Sequence, residues 1–155
     1  MTFSNIPEQL THDRIYRWCV FRCYFYPDKI NKIPYQPNGV KARIDDKSTW
    51  SNFKTCMKAI EFGIGHLPGL AITPEFKIAC VDLDHCIENG EYSKTAQKYI
   101  SAFKDKAYIE KSISGNGIHI FFWYTGKEAP PVHPEKGVEL YTNDRFMAIT
   151  GDSIG

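Results

Sequence analysis

Short runs of β-patterned residues dominate the chain, interrupted by two stretches with helical periodicity. Ile15–Tyr26 is rich in β-branched and aromatic residues and reads as a long strand, closed by a turn at Pro27-Asp28. Lys32-Ile33-Pro34-Tyr35 follows, then a strong turn signal at Gln36-Pro37-Asn38-Gly39. A helix is predicted from about Ser48 to Phe62. Asp45, Asp46 and Ser48 are its candidate caps, and Trp50, Phe53, Met57 and Ile60 its apolar face. Gly63 and Gly65 end it. Strands over Gly69–Thr73 and Lys77–Leu83 are joined by Pro74-Glu75-Phe76. Ser93 caps a second helix with Ala96, Tyr99, Ile100 and Phe103 on one face. Ala107–Ile113 and Ile118–Tyr124 read as strands around a Ser-Gly-Asn-Gly turn. The proline-rich stretch 126–135 is a loop, and Gly137–Tyr141 and Arg145–Thr150 are expected to form a hairpin around Thr142-Asn143-Asp144. Strands and helices mix without strict βαβ alternation, which predicts an α+β domain of mixed or antiparallel sheets with flanking helices. There is no internal repeat and no low-complexity tract.

At 155 residues the chain has the length of one domain, 1–155, with room for a sizeable core. Hydrophobic residues make up 43% and aromatics 14%, which excludes a disordered chain. A net charge of only +1 argues against a blanket electrostatic wrap around nucleic acid and leaves room for a local basic groove. No apolar stretch approaches the ~20 residues of a membrane span, and no signal-peptide core opens the chain, so a soluble cytoplasmic protein is expected. The cysteines are Cys19, Cys23, Cys56, Cys80 and Cys86, without a CxxC pair. A structural zinc wants four ligands at tighter spacing, so reduced, buried thiols and no zinc are expected. The chain stops at Ser153-Ile154-Gly155, just after a strand-like segment, which reads as a boundary within a longer protein.

The chemistry concentrates at three places. Asp82, Leu83 and Asp84 close the apolar run Ile78-Ala79-Cys80-Val81, which reads as a buried strand. Residues two apart on a strand point to one face, so the two carboxylates project together, with a divalent cation as their natural partner. The plain alternative is a surface turn ending a strand. Ser114-Gly115-Asn116-Gly117-Ile118-His119 is either a simple glycine turn or an anion-binding nest of backbone N–H groups, with Ser114 and His119 adding donors. His119, Phe121 and Trp123 share the strand face expected to be less buried, opposite Ile118, Ile120 and Phe122 on the core side. Glu139, in Val138-Glu139-Leu140, is either a solvated strand-face acid or a third metal ligand. Arg145 sits across the expected hairpin, to pair with Glu139 or to bind phosphate. Lys32, Tyr35, Lys41 and Arg43 are either a solvated loop or a basic rim for template or nucleotide. His85 lies behind the acidic pair at most, and His12, His66 and His133 carry no functional claim.

With these motifs in order, the chain resembles the archaeo-eukaryotic primase superfamily, in particular the primase-polymerase domains of phage and plasmid replication proteins. The resemblance covers most of the chain. It runs through Trp18-Cys19-Val20-Phe21, Lys32-Ile33-Pro34-Tyr35, Trp50, Val81-Asp82-Leu83-Asp84-His85, Ser114 to His119, Glu139-Leu140-Tyr141 and Arg145 to Gly151. It implies a primase-type fold with the active site in a cleft between the sheets. Asp82, Asp84 and Glu139 would hold two catalytic Mg²⁺ or Mn²⁺ ions. Ser114, His119 and the backbone of Gly115, Asn116 and Gly117 would bind the incoming triphosphate, with Arg145 contacting phosphate. The implied activity is template-directed DNA synthesis from dNTPs by a DNA polymerase, a primase or both, on a DNA template with or without a primer. A helicase domain would lie in the same or a partner chain, and the setting would be the cytoplasm of a bacterial host, encoded by a mobile element. A metal-dependent nuclease or phosphohydrolase, and a catalytically silent nucleic-acid-binding module, are the competing functions.

Overall fold

The computed structural model describes residues 3–124 and 132–155; the expected loop 126–135 falls largely outside them. In chain order the elements begin with α1 (Glu8–Thr11), β1 (Tyr16–Phe25), β2 (Ile30–Tyr35), a 3-10 turn (Lys47–Thr49), β3 (Ser51–Asn52), α2 (Phe53–Glu61) and β4 (Leu67–Ile72). A second 3-10 turn (Pro74–Phe76) leads into β5 (Ile78–Leu83), β6 (Ile87–Glu88), β7 (Glu91–Tyr92) and α3 (Lys94–Phe103). Last come β8 (Tyr108–Lys111), β9 (Ile118–Trp123), β10 (Val138–Tyr141) and β11 (Arg145–Ala148). The class is α+β with antiparallel sheets, as the mixed pattern predicts. Among the described residues no helix is long and apolar enough to cross a membrane.

Two compact units share this chain, each built from separate segments. The first takes residues 3–5, the described part of Ile72–Asn143, and Thr150–Gly155. Its sheet runs β10-β5-β9-β8, every described pair antiparallel. One face is apolar except for Lys111 at the β8 edge. Ala79, Val81 and Leu83 of β5, Ile118, Ile120 and Phe122 of β9, and Ile109 and Val138 pack against Ala96, Tyr99 and Phe103 of α3. The helix starts where the sequence says it should: Ser93 Oγ accepts the N–H of Ala96 at 3.1 Å, meeting one of the donors a helix start leaves open.

The second unit takes Ile6–Ala71 and Asp144–Ile149. Its sheet is β11-β4-β1-β2, with β3 also pairing to the start of β1. Trp18 is fully buried, its indole N–H donated to Leu10 O at 2.8 Å and its ring edge-on to Phe53 of α2 at 4.9 Å. All six residues of β4 are buried, the signature of a strand covered on both faces.

Two expectations are corrected here. The first helix begins at Phe53, not Ser48: Asp46 caps only the 3-10 turn, through the Ser48 N–H, and Asn52 caps α2 by accepting from Thr55 N–H at 2.9 Å. Trp50 therefore lies outside the helix, and Cys56 and Ala59 form its most buried line, with Phe53, Met57 and Ile60 only half-buried. The second correction concerns Gly137–Thr150. β10 pairs with β5 in the first unit, while β11 pairs with β4 in the second, so no hairpin joins them. β4 and β5, adjacent in sequence, likewise lie in different sheets. All five cysteines are free and buried.

Candidate functional site

The register of the first sheet sets four side chains in one row. Glu139 of β10 stands opposite Asp82 of β5, Asp82 opposite His119 of β9, and His119 opposite Glu110 of β8. Directly opposed residues of antiparallel strands point to the same face. That face is the one away from α3, so an acid–acid–imidazole–acid row crosses the sheet. A second row, Tyr141–Cys80–Phe121–Tyr108, lies beside it on the same face.

The row is graded in exposure from one edge to the other. Glu139 is exposed, Asp82 is partly buried, and His119 and Glu110 are buried. The Tyr141 hydroxyl donates to Glu139 Oε2. His119 Nε2 lies 3.7 Å from Asp82 Oδ1, and its Nδ1 lies 3.1 Å from Glu110 Oε1. Burial first, and then the adjacent Glu110 carboxylate, push the Tyr108 phenol well above its usual pKa.

This corrects the expected exposure of His119. At 4% exposed, the histidine is enclosed, and so is Phe121 beside it. β9 is an interior strand of its sheet, and both its faces are covered until Trp123. The apolar assignment of Ile118, Ile120 and Phe122 to the α3 side holds.

Asp84 follows directly on the end of β5. Its N–H donates to Gly137 O at 2.9 Å, which keeps the start of β10 beside the acidic pair, and its side chain is exposed. Leu83 between the two acids is buried on the opposite face, as the alternation predicts. His85 then turns into a left-handed conformation, φ 49°, with an exposed side chain. Cys86 just beyond it has its thiol pushed up to about 11, by burial first and by the Asp82 and Asp84 charges further.

The Gly-rich segment is a tight loop between β8 and β9. Gly115 N–H donates to Ser112 O at 3.0 Å and Gly117 N–H to Ser112 Oγ at 3.1 Å, while Ser114 Oγ donates to Asn116 Oδ1 at 2.6 Å. Asn116 O accepts from the N–H groups of Cys86 and Ile87, which ties the loop to the chain just after the acidic pair. Gly115 needs its left-handed φ of 79°, and Gly117 has no room for a side chain. A Cβ there would stand 2.9 Å from Leu83 O and 2.8 Å from Ser112 Oγ. Ser114, Gly115, Asn116 and Gly117 are thus fastened beside Asp82 and Asp84.

Two residues of this site went unnoticed in the sequence. Ser112 organises the loop through both its carbonyl and its hydroxyl. Glu110 closes the polar row. Its only sequence signal is an acid at an interior position of the predicted strand 107–113, two residues after an aromatic.

As a metal site the donor chemistry is right and the convergence is incomplete. Asp82, Asp84 and Glu139 offer only hard carboxylate oxygens, the set that suits Mg²⁺ or Mn²⁺. Among the described residues no three acidic, histidine or cysteine side chains are gathered to hold an ion as they stand. The carboxylates of Asp84 and Glu139 are exposed, the second accepting from Tyr141, and the Asp82 side chain is 20% exposed.

The remaining basic residues lie in the second unit. A cavity of about 720 Å³ is lined by Lys32, Arg43 and Arg145, with Phe21, Pro34 and Phe146 as apolar lining, and with Asp45 and Asp144. Arg43 makes a two-pronged pair with Asp45, 2.9 and 2.8 Å, which lowers the Asp45 carboxyl below its usual pKa. Tyr35 and Lys41 face each other across an isolated bridge outside this lining, and the Arg22 guanidinium stacks 4.1 Å over the Tyr35 ring.

Together these features define an antiparallel sheet carrying an acidic row, closed by a glycine loop. Over 156 aligned residues the chain is 28% identical to the DNA primase-polymerase of Nitratiruptor phage NrS-1, an alignment that takes in 96% of the chain. The chain spans 21% of that protein's length. No family model matches it.

Proposed function

We propose that the chain is a primase-polymerase catalytic domain of the archaeo-eukaryotic primase type, adding dNTPs to a DNA strand opposite a DNA template. One observation carries this reading: the register that lines up Glu139, Asp82 and His119 beside the Ser114–Gly117 loop. The similarity to a phage primase-polymerase over 96% of the chain supports it.

Nucleotidyl transfer forms a bond between a primer 3′-oxygen and the α-phosphorus and breaks the bond from that phosphorus to the pyrophosphate oxygen. Asp82, Asp84 and Glu139 would hold divalent metals, Mg²⁺ or Mn²⁺, and two such ions would supply activation of the attacking oxygen and stabilisation of the leaving one. The residues of this chain supply the rest. Asp82 is held by its place on an interior strand, and Tyr141 steadies Glu139. Ser114 and Asn116 receive the triphosphate through their side chains, with His119 behind them contributing one ring nitrogen, while the N–H groups of Gly115 and Gly117, both donated to Ser112, hold the loop in shape. Lys32, Arg43 and Arg145, over the apolar lining of their cavity, form a phosphate-binding rim for the polynucleotide, flanked by Tyr35 and Lys41. A helicase module elsewhere in the same protein or in a partner chain belongs to this proposal, as does a bacterial cytoplasm reached through a mobile element. The relative's greater length and phage origin support both.

The test is extension of a labelled primer-template with dNTPs and Mg²⁺ or Mn²⁺, comparing wild type with Asp82→Ala/Asp84→Ala. Extension by wild type and none by the double variant is expected. Equal extension by both overturns the site. Shortening of the primer without dNTP would make the same acids those of a nuclease.

A further inference from the structure

Glu110 is 0% exposed, the one fully buried carboxylate among the described residues. Burying a carboxylate is costly unless donors surround it. Thr150 N–H donates to both its oxygens, at 2.9 and 3.1 Å, and Gly151 N–H to Oε2 at 3.0 Å. The Tyr108 hydroxyl also reaches Oε2, at 2.9 Å. Those contacts alone describe a staple for the segment after β11. His119 gives the group a second task. Its Nδ1 sits 3.1 Å from Oε1, the oxygen that neither Tyr108 nor Gly151 touches.

We propose that Glu110 is the positioning residue of the site, holding the His119 ring by an Nδ1–H donor so that Nε2 alone faces Asp82 and the substrate. The identity of that substrate, a nucleoside triphosphate, rests on the function proposed above; the ring orientation does not. With its other partners all donors, Glu110 offers the ring an acceptor, and the 3.1 Å contact places Nδ1 rather than Nε2 against it. The same carboxylate fastens Thr150 and Gly151. This gives Thr150-Gly151, part of a stretch of the sequence resemblance without a role of its own, a physical reason: its two amides complete the shell of Glu110.

The first test needs neither a variant nor an activity. Nitrogen–proton correlation NMR of the His119 side chain in the wild-type protein at pH 8, without substrate, is expected to show Nδ1 as the protonated, pyrrole-type nitrogen. An unprotonated Nδ1 overturns the inference, even if the protein is an active polymerase. A wild type inactive in primer extension would defeat the proposed function and leave this measurement standing.

The second test separates positioning from stapling. Glu110→Gln is expected to raise the apparent KM for dNTP about tenfold, the worth of one hydrogen bond. Tyr108→Phe, which removes a donor from Oε2 only, should leave KM unchanged. Glu110→Gln/His119→Ala should be no worse than His119→Ala alone, because the two residues act as one unit. Additive losses, or an unchanged KM in Glu110→Gln, would reduce Glu110 to a structural staple. If Glu110→Gln does not fold, the wild-type spectrum decides.

Discussion

His119 meets a carboxylate on each side, and its neighbours fix what it can do. With Nδ1 spent on Glu110, a ligand has only Nε2 to use. His119→Ala is therefore expected to weaken dNTP binding about tenfold, with a smaller effect on the rate at saturating dNTP. Titrating initial rates against dNTP separates the two, and an unchanged apparent affinity would remove His119 from the nucleotide site. Gly117 makes a different prediction. Its missing Cβ is what lets the loop lie on Leu83 O, so Gly117→Ala should cost about 1–3 kcal/mol by urea unfolding. At this scale the strand that carries Asp82 was legible, because four apolar residues fix it and its faces, while Asp84 lies just past its end. It misjudged the exposure of His119, since alternation separates an open face from a covered one only when one face meets water. It passed over Glu110 because a lone acid in Tyr108-Ile109-Glu110-Lys111 looks like any solvent-side position. Only the pairing of β8 with β9 brings it to the histidine.

The two longer helices, α2 and α3, each begin at a side-chain cap that can be weighed separately. Asn52→Ala should destabilise the protein by about 1 kcal/mol, the usual worth of an N-cap side chain, and Ser93→Ala by a similar amount. Asp46→Ala should cost less, because it ends a single 3-10 turn rather than a helix. Urea midpoints for the three variants check the order; a larger loss in Asp46→Ala would mean that α2 is nucleated from the earlier turn. Ser93 and its helix were plain in the sequence. The start of α2 was not, because two candidate caps follow one another and Trp50 continues the apolar spacing by coincidence. The expected hairpin over 137–150 failed for a related reason. Thr142-Asn143-Asp144 carries the composition of a tight turn, and nothing local says that the strands on either side of it join different sheets.

The whole molecule keeps its thiols out of water. Burial raises the Cys56 thiol from 9.0 to about 12, and Cys19, Cys23 and Cys86 shift the same way. The unfolded chain gives up those protons near pH 9 while the folded chain retains them, so the native state binds more protons in that range. Stability is then complete below pH 9 and falls toward pH 12. Urea midpoints between pH 8 and pH 10.5 should decline, and Cys56→Ala should make the decline shallower. In the native protein a thiol reagent should react slowly with all five cysteines, and at once after denaturation. The interleaving of the two units has an outcome during synthesis. Both sheets wait on residues 145–151: β11 joins β4 in one unit, and Thr150 and Gly151 satisfy Glu110 in the other. A nascent chain that has passed 140 residues on the ribosome still has an open sheet edge at β4 and a carboxylate short of its donors. Until the short stretch that follows is made, neither unit has its full set of strands and donors.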